Sequence, residues 1–166
     1  MIFVTVGTHE QPFNRLIKEI DRLAKDKEIN NDFYIQTGFS DYIPQNCSWK
    51  KFLSFTQMND MIRKSDIIIT HGGPASFITP LEVGKIPIVV PREKRFNEHI
   101  NNHQEEFIKL IDKRLQDIIP VYDIKDLKEK ILNYEILIKQ MNNQIKTNNE
   151  AFNQSFSDIV SKMFNE

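Results

Sequence analysis

The chain has 166 residues, enough for one domain with a substantial core, and 22 basic against 23 acidic side chains give a formal net charge of -1. Charges so evenly mixed lack the basic footprint of a nucleic-acid binder. One cysteine, Cys47, permits neither an internal disulfide nor a cysteine metal cluster, no apolar run approaches the ~20 residues of a membrane span, and the opening MIFVTVGTHE has no basic leader, so a cytoplasmic protein is expected.

Strand-like and helix-like segments alternate along the chain. Ile2 to Val6 is a short apolar run of high β-propensity that ends at Gly7. Phe13, Leu16, Ile17, Ile20 and Leu23 then recur at helical spacing. FYIQTG (Phe33 to Gly38) reads as a second strand. WKKFLSF (Trp49 to Phe55) reads as a third, with Trp49, Phe52 and Phe55 packed in the core. Thr56 can cap a short helix bearing Met58, Met61 and Ile62. A strand over Ile67 to Thr70, a helix over Ala75 to Val83 and a strand over Ile86 to Val90 follow. Asn97 to about Leu115 has a helical pattern with Phe107, Leu110 and Ile111 on one side, and DIIPVYD is a last extended piece.

From Asp123 onward Gly and Pro disappear and one or two amphipathic helices are expected, with a break or fray at Asn142, Asn143, Asn148 and Asn149. Ile124, Leu127, Ile131, Tyr134, Leu137 and Met141 form a stripe at helical spacing. The alternation predicts an α/β fold with a single Rossmann-like, mostly parallel sheet over residues 1–122. Residues 123–166 would be a helical extension that packs on the domain or docks a partner.

Ligands of such sheets bind beyond the C-terminal ends of the strands. Two glycine turns fall there, Gly7-Thr8 and Gly72-Gly73. The second is HGGPAS, His71 to Ser76, where a buried strand hands over to a helix. Glycine lets backbone approach a ligand, and this turn has the look of one that needs positive φ. Pro74 suits the first helical position, and the free amides of that turn form an anion site. The sequence has no G-x-G-x-x-G, no P-loop and no D-x-D triplet. A bound diphosphate would rest on helix terminus and amides, with no metal or other cofactor.

Together FVTVGTHEQPFNRLI, HGGPASFITPLEVGKIPIVVP and FNEHINNHQEEF resemble bacterial polysaccharide-synthesis glycosyltransferases of the PssE/EpsF type, over Met1 to about Leu115. These are similar to the catalytic subunit of the dolichol-linked GlcNAc transferase and to the C-terminal half of MurG-like enzymes. The resemblance implies the donor-binding half of a GT-B fold. It also implies inverting transfer of a hexose, galactose or a related sugar, from a UDP-sugar to a lipid-linked glycan in capsule or exopolysaccharide synthesis. A membrane-associated, PssD/EpsE-like partner would supply the acceptor half and recruit the chain to the inner membrane face. The resemblance puts Gly7, Thr8 and His9 near diphosphate and acceptor, and Phe55 in the loop whose backbone meets uracil. His71, Gly72, Gly73, Pro74, Ala75 and Ser76 then hold the diphosphate, Arg92 opens the loop to the sugar, and His103 and Gln104 touch its hydroxyls. Two positions depart: Thr79 stands where larger relatives carry a ribose-binding glutamate, and Ile108 where they often carry asparagine.

His9 is the candidate general base, with Glu10 as second choice at the same strand end. His99 and His103 are one helical turn apart, a metal-like spacing that lacks a third ligand. The competing reading is a non-catalytic nucleotide-sugar-binding or accessory module that docks a membrane glycosyltransferase.

Overall fold

Short runs of Ile, Val and Phe, each stopped by polar or glycine turns, build the sheet. The structure is a computed structural model and describes residues 1–145. Its strands are β1 (Ile2–Thr5), β2 (Phe33–Gln36), β3 (Ser48–Lys50), β4 (Ile67–His71), β5 (Ile88–Val90) and β6 (Ile119–Pro120). All pairings are parallel, in the order β3-β2-β1-β4-β5-β6. The helices are α1 (Asn14–Leu23), α2 (Phe55–Lys64), α3 (Pro74–Glu82), α4 (His103–Leu115), α5 (Leu127–Leu132) and α6 (Tyr134–Ile145). The chain order reverses between β1 and β4, which opens a crevice at their C-terminal ends.

Side-chain alternation assigns the two faces. Ile2, Val4, Ile35, Ile69, Ile88 and Val90 point to the side covered by α1 and α5. Phe3 and Ile68 meet Ile62 of α2, while Val89 meets Phe77, Phe107, Ile108 and Ile111 of α3 and α4. Burial on both faces explains why β1, β4 and β5 read as apolar runs.

Several boundaries differ from the sequence expectation. β3 is an edge strand of three exposed residues, and Trp49, Phe52 and Phe55 are exposed where core packing was expected. Only Trp49 lies on β3; Phe52 falls in the following loop and Phe55 opens α2, so the alternation read over Trp49 to Phe55 does not belong to one strand. Ser54, not Thr56, caps α2, through a capping box with Gln57. Residues 97–102 are loop, and α4 starts only at His103. Asn97 adopts a left-handed φ of 57° after a single 3-10 turn, Lys94–Phe96.

Residues 124–141 contribute to the domain's own core. Leu127, Ile131 and Tyr134 are buried with the β1 face, and Ile124, Leu137 and Met141 pack against them. The Tyr134 hydroxyl donates to Ile86 O at 2.7 Å. The stripe from Ile124 to Met141 is therefore covered from within. α6 continues through Asn142 and Asn143, while Asn148 and Asn149 lie outside the described residues. Cys47 packs partly buried beside the core, and burial pushes its thiol up to about 12. That fits a structural thiol.

Burying a Leu or Ile side chain contributes about 1.5–3 kcal/mol, so losing Leu127, Ile131 and Tyr134 together removes a large share of a typical ~5–15 kcal/mol stability. A chain ended after Tyr122 is expected to show no cooperative thermal transition by circular dichroism. A sharp, native-like melt would refute this account of the core.

Candidate functional site

The C-terminal edge of the sheet turns polar. Thr5, Gln36 and Thr70 share a rung across β2, β1 and β4, and all three are buried. Buried polar groups need partners. Gln36 Oε1 accepts from Thr5 Oγ1 at 2.7 Å and from Gly7 N–H at 3.2 Å. Gln36 Nε2 donates to Gly7 O at 3.1 Å and Lys51 O at 3.0 Å. One amide thus holds both backbone groups of Gly7, whose φ of 76° suits glycine.

A cavity of about 640 Å³ opens between this turn and the one joining β4 to α3. That volume is in the range of small-molecule sites. His71 sits at its floor, with its ring between the two turns. A Cβ added to Gly7 or to Gly73 would fall on that ring. Gly73 has φ -73° and ψ 134°, ordinary extended backbone. The expectation of positive φ there is corrected: the neighbouring imidazole, not backbone geometry, requires the glycine. Gly73 N–H donates to His71 Nδ1 at 3.0 Å, which leaves the proton of the neutral ring on Nε2.

Gln104 does for this second turn what Gln36 does for the first. Its Oε1 accepts from Gly72 N–H and from Arg92 N–H, each at 3.1 Å, tying the β4 and β5 exits together. The Ser76 hydroxyl lies 2.7 Å from His71 O and 2.6 Å from Gly73 O and closes the turn from the helix side. No side chain caps α3 at Gly73, and Pro74 follows at N1. Ala75, in this uncapped first turn, lines the cavity beside Gly73, Pro74, Ser76 and Thr79. The positive end of the α3 dipole therefore faces open space fit for an anion.

Not every sequence candidate arrives. Gly7, Thr8, His9, His71, Gly73 to Ser76 and Gln104 line the cavity. Phe55 is 82% exposed and outside it; Met58 and Ile62, one and two turns along α2, line it instead. Glu10 is exposed and outside the lining, and His103 points to solvent and pairs with Glu106 at 3.4 Å. Both corrections have one cause: side chains next to His9 and Gln104 in sequence point elsewhere. The Arg92 side chain is 1% exposed and donates to backbone carbonyls, so it is no free partner for a diphosphate. His99, read only as half of a metal pair, lines the cavity and stacks on His9 with centroids 4.7 Å apart. It lies on a loop, off the helix that its spacing to His103 suggested.

Burial pushes the His71 imidazole down to about 3, helped by the Arg92 charge, so it is neutral in the physiological range. Burial, then the neighbouring His9, lowers His99. Burial brings Arg92 down to about 10, still cationic, with Glu98 opposing the change. Among the described residues no three His, Cys, Asp or Glu side chains gather as a metal site.

A parallel sheet of this order, with a cavity across its β1–β4 switch point and an uncapped helix terminus facing it, defines the Rossmann-like domain of a GT-B glycosyltransferase. The chain belongs to the glycosyltransferase family 28 C-terminal domain, whose family model matches residues 1–163. It is 35% identical over 121 residues to the UDP-N-acetylglucosamine transferase subunit ALG13 of Homo sapiens, across 68% of this chain and 10% of that protein. The chain thus spans about a tenth of the length of this relative. The glycosyltransferase SnogD from Streptomyces nogalater is similar at 23% identity and a TM-score of 0.43, over 54% of this chain and 25% of that one.

The buried His71 makes stability depend on pH. An unfolded chain binds a proton there below the ordinary 6.5, whereas the folded ring stays neutral down to about 3. The contribution is complete above pH 6.5 and is lost on acidification, at up to ~1.4 kcal/mol per pH unit. Denaturant titrations from pH 7 to 4 should show a shallower slope for His71→Gln than for the wild type. His71 imidazole resonances should not titrate between pH 8 and 5. Equal slopes, or titration near 6.5, would contradict the burial argument.

Proposed function

We propose that this chain is the donor-binding, catalytic half of a two-component inverting glycosyltransferase that uses a UDP-sugar. The observation that carries this is the cavity at the β1–β4 switch point, which two glycine turns leave open and the α3 terminus makes electropositive. The diphosphate lies against Gly73 to Ser76, and its charge is carried by amides and helix dipole without a metal. As the sugar–phosphate bond breaks, charge grows on the β-phosphate, and the pre-oriented helix terminus stabilises it. The acceptor oxygen attacks the anomeric carbon from the opposite face, and His9 takes its proton.

The donor sugar follows the name of the human relative, UDP-N-acetylglucosamine; UDP-galactose or another UDP-hexose is the second choice. That relative is called a subunit, and this chain is likewise proposed to act with a partner. The partner is a membrane-associated, PssD/EpsE-like protein that brings a lipid-linked glycan acceptor of capsule or exopolysaccharide synthesis and recruits the chain to the inner membrane face. Among the described residues no helix is long and apolar enough to cross a membrane.

Calorimetry with UDP in EDTA should show weak binding by the chain alone. Gly73→Val, which drives a branched side chain into the His71 ring beside the diphosphate, should weaken that binding at least ~10-fold. Binding that needs Mg²⁺ or Mn²⁺ would end the metal-free mechanism, and an unaffected Gly73→Val would move the site elsewhere.

With the partner present, His9→Ala should lower turnover about 10²-fold while donor affinity changes little. Transfer assays with UDP-N-acetylglucosamine and UDP-galactose, with and without the partner, test donor and partner together. Unchanged turnover in His9→Ala would assign the base to another group.

A further inference from the structure

The loops that carry His9 and His99 are joined by one buried cation. Arg92 Nη1 donates to Gln11 O at 2.8 Å and to Glu98 O at 3.1 Å, and Nη2 donates to Val6 O at 2.7 Å. Gln11 lies two residues after His9, Glu98 one before His99, and Val6 one residue past the end of β1. The guanidinium also covers the Phe13 ring, 4.8 Å from its centroid. Arg15 fastens the second loop again through a bidentate pair with Glu98, at 2.9 and 2.8 Å. Charge-assisted, mostly buried bonds of this kind hold geometry firmly.

So fixed, the His99 ring lies over the His9 ring, with 4.7 Å between centroids and 22° between planes. His9 Nε2 is 2.9 Å from Gln11 Oε1. An amide oxygen only accepts, so the shared proton belongs to His9 Nε2 and the free lone pair to Nδ1. His99 Nδ1 accepts from Asn101 N–H at 3.4 Å, which places the proton of its neutral ring on Nε2. Both rings line the cavity.

We propose that His99 is a positioning residue for His9: its ring face and Gln11 together hold His9 in the Nε2–H tautomer, with Nδ1 ready to accept a proton. The proposal rests on the reading of His9 as base. In the transfer step the acceptor oxygen forms its bond to the anomeric carbon, and the bond from that carbon to the β-phosphate oxygen breaks. The bonding pair leaves with UDP, and the acceptor's hydroxyl proton moves to His9 Nδ1. The imidazolium keeps its Nε2–H on Gln11 Oε1 and lies against the neutral ring of His99, whose face stabilises the new charge. No ring nitrogen of His99 exchanges a proton in this step, so a flat, non-titrating ring should replace it.

The chain has four histidines, few enough to resolve singly by ¹⁵N-edited NMR of the full-length protein. Wild-type His9 should show the Nε2–H tautomer. His99→Ala should give a mixture of tautomers at His9, and His99→Phe should restore one. In the reconstituted transferase, His99→Ala should lower kcat ~10-fold with donor KM within about 2-fold, and His99→Phe should recover most of the loss. In a His9→Ala background the further change His99→Ala should cost less than about 2-fold, since coupled residues are not additive. An unchanged His9 tautomer in His99→Ala would overturn the proposal, as would a His99→Phe variant as slow as His99→Ala. If His9→Ala alone leaves turnover intact, the base assignment falls, and the tautomer measurement still decides whether His99 positions His9.

Discussion

The site exists because an imidazole occupies the space of two missing side chains. His71 ends β4 where the sheet order reverses, and its ring fills the gap between Gly7 and Gly73. Any larger residue at either glycine would push the ring away and split the two turns. Packed there, the ring is driven neutral by burial and accepts the Gly73 amide at Nδ1. It acts as a spacer that sets the distance between two loops and adds no charge to the cavity floor. The electropositive character comes from the α3 terminus, a fixed dipole that no pH change in the working range removes.

Around that spacer, the loops entering the crevice are tied by side chains whose bonds go mainly to backbone. Gln36 fixes the turn after β1, Gln104 joins the exits of β4 and β5, and Arg92 joins the β1 end to the loops of His9 and His99. Side-chain-to-backbone bonds specify main-chain position without regard to what the neighbouring side chains are. The result is a rim whose amides are in place before a ligand arrives, the condition under which electrostatic stabilisation costs no reorganisation. The buried Arg92 would be costly alone. Three carbonyls, the Glu98 carboxylate nearby and the Phe13 face offset its desolvation, although its Nε has no hydrogen-bond partner among the described residues.

Much of this was legible in the residues themselves. The apolar runs at Ile2 to Val6, Ile67 to Thr70 and Ile86 to Val90, the helical spacing of Phe13 to Leu23, and the HGGP turn after a buried strand point to a parallel sheet with a site at its strand ends. Each of these signals is local, since period-2 and period-3.6 patterns and glycine turns act within a few residues. Trp49, Phe52 and Phe55 misled because their period-2 spacing spans a three-residue edge strand, a loop and the first residue of α2, and a pattern across element boundaries says nothing of burial. The stripe from Ile124 to Met141 carries a different ambiguity. An amphipathic pattern demands a partner but does not say whether that partner is another protein or the chain's own sheet.

The sequence by itself determined the α/β class, the two glycine turns, the uncapped α3 terminus and the polar residues on offer. Tertiary structure alone decided which of them meet. It turned His103 and Glu10 outward, buried Arg92 as a tie between loops and brought His99 onto His9 across 90 residues of chain. It also made Gln36 and Gln104 matching latches. The physical reason is that a hydrogen bond or a ring stack depends on distances of 3–5 Å in space, and residues far apart in sequence carry no local mark of the neighbour that folding will give them.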